Sequence, residues 1–245
     1  NLGVMTGDDP RRVGENRRIA CAALGADIGQ LTHTYQVHSN RVVRAVPGQR
    51  GEDHADGLWT DEPGVPLLVM SADCVPIVLV RMDGTPGLAV LHAGWKGLLG
   101  GIVKAGVDAL GRSTIAAAIG PAIGPCCYEV GADVRAAICA LPVQGAQGAS
   151  PGDGTAIDPS RWFLDGPAAL AHNPTLGRTP RPDRWYFDTW SAVRVQLEMA
   201  GVPKAGIFVA GLCTASHPEW FWSFRRDGAS AGRMAAVIRG GGRGV

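Results

Sequence analysis

The sequence predicts an α/β protein, with buried strands joined through helical crossovers, on three observations. Three apolar runs, VPLLVM, VPIVLV and LAVL, follow one another across residues 65–91 with turn signals such as Asp83-Gly84 between them, as expected for strands covered on both faces. The period then changes: in GLLGGIVKAGVDALG the apolar residues Leu98, Ile102, Val103, Val107 and Leu110 share one helical face. Strand, Gly/Pro turn and helix recur in IAAAIGPAIGPCCYEVGADVRAAICAL. At 245 residues, with no linker composition and no internal repeat, 1–245 reads as one domain with a substantial core.

The elements follow in order. DDPRRVGENRRIACAAL opens on Asp-Pro and carries Val13, Ile19 and Leu24 among Arg and Glu, which predicts an amphipathic helix from about Pro10. HTYQVHSNRVVRAV reads as strand, turn and strand, and the polar PGQRGEDHADGLWTDEPG as a loop or hairpin connection in which His54 faces solvent. A helix is expected from about Gly131 to Leu141. Residues 142–184, rich in Gly, Pro, Ala and Asp, read as a flexible loop insertion with a short helix around 166–171. FDTWSAVRVQLEMAGV predicts a helix stopped by Gly201, AGIFVAG a strand, and EWFWSFRRDGASAGRMAAVIRG a strand, turn and strand, with GGGRGV fraying at the end.

Composition narrows the function classes. With 46% hydrophobic and 18% charged residues and a formal net charge of +1, the chain lacks the basic footprint of a nucleic-acid or anionic-membrane binder, so a small-molecule partner is expected. No apolar run reaches the roughly 18 residues of a membrane span, because Ser71, Asp73 and Cys74 separate the two longest. NLGVMTGDDPRR shows no basic flank leading into an apolar stretch, so no secretory signal is expected there, and the missing initiator Met points to a trimmed N-terminus. Cys21, Cys74, Cys126, Cys127, Cys139 and Cys213 are too sparse for a disulfide scaffold and predict reduced thiols in a cytoplasmic protein.

The chemistry-bearing residues lie where apolar runs break. Alone, Cys74 in SADCVPIVLV reads as a small buried hydrophobe, but Asp73 beside it needs a hydrogen-bonded partner or a cleft. His92 follows LAVL and precedes Ala-Gly, which leaves room for a ligand near the backbone; His38 in TYQVHSN stands in a similar setting. Their spacing matches no compact zinc signature, so only tertiary structure could unite them. If united, one Cys and two His leave a fourth position open, the pattern of catalytic rather than structural zinc, where bound water becomes acidic near neutrality. The same residues also permit a Cys74 nucleophile with His92 as base. Asp73 would then be an orienting group or a proton carrier. The GPAIGPCCYEVG turn offers amides to an anion, against a bland reading as a tight loop. Adjacent Cys126 and Cys127 seldom share one ion and are left out of the metal set. Arg17, Arg225 and Arg226 are phosphate candidates, although arginines in such settings are more often solvated surface charges.

Taken together, NLGVMTGDDPRRVGENRR, QVHSNRV, SADCVPIVL, HAGWKG, AIGPAIGPCCYEVG, FDTWSAVRVQLEMAGV and CTASHPEWFWSFRRDGASAGRMAAVI resemble, over nearly the whole chain, the YfiH/PgeF family, once called multicopper polyphenol oxidases or laccase-domain proteins. That resemblance implies a YfiH-like layered sandwich of mixed β-sheet with flanking helices. It also implies zinc held by His38, Cys74 and His92, and purine nucleoside chemistry: phosphorolysis of adenosine, inosine and methylthioadenosine, and hydrolytic deamination of adenosine. QVHS stands where the family more often has QVHG, and HAGWK where it has HAGWR; neither removes a ligand, but Lys96 lacks the guanidinium fork. In deamination, water activated by the metal would attack C6 of adenine while Asp73 moves protons. In phosphorolysis, Arg17, Arg225 or Arg226 would hold phosphate while it attacks the anomeric carbon.

Three alternatives carry discriminating observations. A blue copper oxidase needs many histidines, including paired His-x-His segments; the chain has 6 His and no such pair, so laccase activity is disfavoured and any copper at the thiolate–imidazole site is adventitious. A cysteine amidohydrolase acting on a peptidoglycan precursor predicts rapid alkylation of Cys74 in metal-free protein. A non-catalytic, metal-stabilised binding protein predicts lower thermal stability without metal and no nucleoside consumed.

Overall fold

The computed structural model describes residues 1–111, 113–141 and 157–241. Helix α1 (Pro10–Ala23) starts where expected, with Asp9 as N-cap accepting from the Arg11 amide and Pro10 in the first turn. Its buried stripe is Val13, Arg17 and Cys21, whereas Ile19 is exposed. Four-residue steps keep one face against the sheet, and Ile19 falls off that face. Short strands β1 (His33–Tyr35) and β2 (Val42–Arg44) follow, as the sequence predicts.

The polar stretch read as a loop or hairpin connection holds two strands, β3 (Arg50–His54) and β4 (Gly57–Thr60), which pair with other strands and not with each other. Pairing overrides composition here: β3 runs parallel to β1, and β4 is inserted between β2 and β7 (Leu88–Ala93). Strands β5 (Pro66–Ser71) and β6 (Val75–Arg81) are neighbours in sequence but lie in different sheets. The chain changes layers at Ala72–Cys74.

After β7, helices α2 (Trp95–Gly100) and α3 (Ile102–Leu110) are separated by Gly101, whose φ of 85° breaks what the periodicity presents as one helix. The crossover delivers β8 (Ile115–Ile119) to the far side of β6, antiparallel to it as β7 is. Strand β9 (Glu129–Val130) and helix α4 (Ala132–Cys139) come next. The expected loop insertion lies outside the described residues at 142–156. Beyond it no helix forms at 166–171: Gly166 precedes Pro167, which disfavours helical backbone, and the Ala168 amide instead donates to Pro125 O at 3.1 Å. A 3₁₀ turn at Pro159–Trp162 leads into β10 (Phe163–Leu164), which joins β11 (Trp185–Phe187) and β9 in a small antiparallel sheet.

Helix α5 (Thr189–Met199) is capped by Asp188 and followed by Gly201 at φ 95°, and strand β12 (Ile207–Val209) pairs in parallel with β8. The aromatic stretch EWFWSF is not a strand. The Trp220 and Phe221 amides fold back onto His217 O, and Ser223 caps a single turn, α6 (Phe224–Asp227), before β13 (Met234–Arg239).

The central sheet has the order β12-β8-β6-β7-β4-β2, and β5 pairs antiparallel with β13 in a second layer, to which β1 and β3 attach through the Thr32–Leu67 bridge. Alternate residues explain the unbroken apolar runs. Ile77, Leu79, Ala89 and Leu91 face α3 and α5 through Ile102, Val103, Leu110, Val193 and Leu197, while Val78, Leu88 and Val90 face Leu67 and Val69 of β5. Leu68 points the other way, onto Cys21 of α1 and Leu31. The layers therefore run helix, sheet, sheet, helix. Each fully buried Leu or Ile in them contributes about 1.5–3 kcal/mol of transfer free energy. No helix among the described residues is long and apolar enough to cross a membrane.

Candidate metal centre

The three separated residues meet. Cys74 immediately precedes β6, and His92 is the penultimate residue of β7; because Val75 pairs with Ala93, both stand at the same end of one antiparallel ladder. His38 arrives from the β1–β2 connection. The ligand atoms of His38, Cys74 and His92 all lie within 4.8 Å of one another, with His38 Nε2 3.8 Å from Cys74 Sγ and the two imidazoles edge to face at 4.9 Å. His92 is buried, Cys74 partly so and His38 exposed, so the group opens to solvent on one side. Gly94 keeps the space clear: a Cβ there would lie 2.8 Å from His38 Cδ2 and 3.1 Å from Cys74 Sγ.

Asp56, wholly buried, organises this group and is the residue that sequence reasoning missed. It sits one step before Gly57, whose ladder partner is Leu91, and so falls beside His92. Its carboxylate accepts from His92 Nδ1 at 2.8 Å, from the amides of Val37, His38 and Ser39 at 3.1, 3.0 and 2.6 Å, and from Ser39 Oγ at 2.8 Å. One carboxylate thus fixes the His92 tautomer, leaving Nε2 for the site, and holds His38 at a φ of 61°. The Ser39 of the QVHS variation spends its hydroxyl here. The only signal in the sequence is an Asp-Gly inside a stretch that reads as polar loop.

The electrostatics follow from these contacts. Burial would raise the Asp56 pKa, but the bonds from His92 and Ser39 outweigh it and hold the carboxyl at about 2. Burial likewise opposes ionisation of Cys74, yet the neighbouring His92 charge and the His38 bond bring the thiol down to about 6. Burial would depress His92; the Cys74 charge and the Asp56 bond instead lift it to about 9. In the metal-free state the pair is a thiolate–imidazolium between those values. One sulfur and two imidazole nitrogens around a cleared, solvent-facing space are a donor set that suits a borderline-soft divalent ion with an open position.

Asp73, at a φ of 92°, ties its carboxylate to Thr214 and to the backbone of α6. It accepts from Thr214 Oγ1 and the Arg225 amide, both at 2.6 Å, and burial raises its pKa against those bonds. Arg17 and Arg226 are committed to the fold. Buried Arg17 bonds Leu2 O, His33 Nε2 and Met70 Sδ; Arg226 bonds the Thr214, Ala215 and Phe221 carbonyls and pairs with Asp227. Arg225 donates Nη1 to Glu129 O and lies over the Tyr128 ring, and among the described residues no hydrogen bond engages its Nε or Nη2. Lys96 is exposed in the first turn of α2, two residues beyond Gly94. The GPAIGPCCYEVG turn is no open cradle, since its Gly120, Ala122, Ile123, Gly124, Cys127 and Tyr128 amides all donate within the protein. Nor are Cys126 and Cys127 isolated: Cys213 joins them, with all three sulfurs within 4.8 Å.

A two-sheet α/β sandwich with a Cys/His/His cluster at a strand end defines the class of protein: one with a candidate metal centre of catalytic type. The chain matches the family model described as multi-copper polyphenol oxidoreductase laccase over residues 1–240, and it belongs to that family. It is 35% identical to the purine nucleoside phosphorylase YlmD of Geobacillus stearothermophilus, covering 97% of this chain and 82% of that one. It is 32% identical to the purine nucleoside phosphorylase YfiH of Escherichia coli, with 97% and 85% covered. Among solved structures, the Bacillus licheniformis hypothetical protein YfiH aligns with a TM-score of 0.80 at 29% identity, covering 98% of this chain and 85% of that one. YlmD of G. stearothermophilus aligns with a TM-score of 0.77 at 30% identity, covering 99% and 85%.

Proposed function

We propose that this chain is a zinc-dependent purine nucleoside phosphorylase acting on adenosine, inosine and methylthioadenosine, able also to deaminate adenosine hydrolytically at the same centre. The observation that carries the reading is the convergence of Cys74, His38 and His92 around a space that Gly94 keeps open, with His92 oriented by Asp56. The names of the relatives supply the substrate class. His38, Cys74 and His92 would hold the ion, which when bound supplies a Lewis acid at neutral pH.

The chain's own residues do the rest. In phosphorolysis a phosphate oxygen forms a bond to the anomeric carbon as the carbon–nitrogen bond breaks, and its electron pair leaves on the purine. Positive charge beside the phosphate and a proton source beside the base are therefore the useful groups. Arg225, with donors to spare beside Tyr128, and Lys96 at the start of α2 are the cations we assign to phosphate. Asp73 positions Arg225 by holding its amide and Thr214; with its pKa raised, its carboxyl is also the group suited to carrying a proton. We place the activity in one domain and in a reducing compartment, in keeping with six free cysteines.

A second reading, a cysteine amidohydrolase acting on a peptidoglycan precursor, is favoured by one observation, the thiolate–imidazolium character of Cys74 and His92. Metal analysis of freshly purified protein, paired with chromatography of adenosine incubated with and without phosphate, separates the two. About one zinc per chain with phosphate-dependent adenine release, or phosphate-independent inosine, supports the nucleoside reading and tells its reactions apart. Metal-free protein with a rapidly alkylated Cys74 and no nucleoside consumed would replace it with the hydrolase.

A further inference from the structure

We propose that Cys126, Cys127 and Cys213 form a second metal site, separate from the Cys/His/His centre and built for a soft monovalent ion, copper(I). Their sulfurs lie within 4.8 Å of one another, and the three residues are between 0 and 4% exposed. Three thiols gathered in one buried place make poor hydrogen-bond partners for each other, since S–H is a weak donor and sulfur a weak acceptor. A bound soft cation converts the same arrangement into a favourable one.

The site is preorganised by backbone from separate parts of the chain. Cys213 is held by a parallel bridge to Ala122 and by its amide donating to Asn173 Oδ1 at 2.6 Å. Cys126 and Cys127 sit in a tight turn in which the Cys127 and Tyr128 amides both donate to Gly124 O at 2.9 Å. That turn is how two adjacent side chains come to serve one centre. The Gly124 amide donates to Cys213 Sγ at 3.3 Å, while Ser216 Oγ, whose own hydrogen goes to Pro174 O at 2.6 Å, lies 3.6 Å from Cys126 Sγ and 3.5 Å from Cys127 Sγ as an acceptor.

The donor set selects the ion. Sulfur alone, with no imidazole or carboxylate in the cluster, favours soft metals. Zinc in structural sites is almost always four-coordinate, and here the nearest further donor is a serine hydroxyl, which leaves a trigonal sulfur site suited to copper(I). A small cavity of about 20 Å³, lined by Cys126, Cys127, Glu129, Tyr186 and Arg225 among others, reaches two of the three cysteines and gives an ion its approach. Binding moves no electrons: the ion enters as copper(I), and the thiol protons it displaces go to buffer.

The test uses full-length, zinc-supplied protein titrated anaerobically with copper(I) buffered by a competing chelator. It is followed by the ultraviolet sulfur-to-copper band and by X-ray absorption at the copper edge. We expect one copper with a sulfur-only shell, and an affinity reduced about tenfold or more in Cys127→Ser and, separately, in Cys213→Ser. The Cys127 variant keeps the test decisive if Cys213→Ser, in a fully buried position beside buried Thr214, does not fold. Copper with imidazole in its shell in the wild type, or a sulfur-only shell that survives both substitutions, overturns the proposal. So does a wild type that takes no copper from the chelator. None of these outcomes depends on whether nucleosides are turned over.

Discussion

Replacing Asp56 by Asn should uncouple the His38–Cys74–His92 cluster from its scaffold while barely changing side-chain volume. The carboxylate accepts five hydrogen bonds, with His38 N and His92 Nδ1 on one oxygen and Val37 N, Ser39 N and Ser39 Oγ on the other. An amide has one acceptor oxygen, so in either orientation its NH₂ faces at least two donors that are buried or partly buried. Leaving each unpaired costs about 1–3 kcal/mol, which for two sums to about 2–6 kcal/mol of stability. A second estimate comes from titration. The carboxyl moves from its ordinary 3.8 to about 2 on folding, a difference of about 2 kcal/mol in favour of the charged form. Because the folded value is depressed, this stabilisation is complete above the unfolded pKa and fades as pH falls from about 4 through about 2. Urea unfolding at pH 7 should therefore show a loss of about 2–6 kcal/mol in Asp56→Asn. Between pH 4 and 2 the variant should lose less stability than the wild type. Metal affinity should drop about 10–100-fold, since the His92 tautomer is no longer fixed. A variant within about 0.5 kcal/mol of wild type at pH 7 that also retained full metal would refute the account of Asp56 as the organiser.

Three further outcomes are expected. In metal-free protein, the alkylation rate of Cys74 should rise with pH around a midpoint near 6, and a midpoint near the ordinary thiol value of 9 would remove the thiolate–imidazolium pair. Gly94→Ala should lower metal content and turnover about tenfold or more, with little change in the unfolding midpoint, because the added methyl meets His38 and Cys74 rather than core; unchanged metal binding would show that the space is not used. Arg17→Ala should cost about 2–4 kcal/mol of stability and leave the KM for phosphate unchanged, whereas Arg225→Ala should raise that KM with little loss of stability. The reverse pattern would exchange their roles.

What the sequence makes legible is whatever depends on period and local chemistry. The runs at β5, β6 and β7, the α3 stripe from Ile102 to Leu110, and the Asp9-Pro10 start of α1 all follow from neighbours within one turn or one strand. His38, Cys74 and His92 can be singled out because each interrupts an apolar segment, although their meeting depends on ladder register. Asp56 is hidden for the opposite reason. Its partners lie 17 to 36 residues away, and its own segment becomes strand only through β2 and β7. The aromatic residues of EWFWSF mimic a strand pattern, yet Trp220 and Trp222 are largely exposed and the backbone closes into turns. The nearness of Cys213 to Cys126 and Cys127 is hidden in the same way, since Cys213 arrives from beyond α5.

His38 and Asp73 are two of only three non-glycine residues with positive φ among the described residues, at 61° and 92°. Such backbone costs roughly 1–3 kcal/mol per residue for an L-amino acid and persists because surrounding bonds over-determine it. The Asp56 carboxylate does so at His38, and the Ile123 amide and Thr214 hydroxyl do so at Asp73. A glycine would suit either position better as backbone and would remove the very group that the position presents. Selection for sturdiness and selection for chemistry thus pull in opposite directions at these two points of the chain. Anyone seeking a more heat-resistant variant should leave both alone and stabilise the molecule in the outer layers instead.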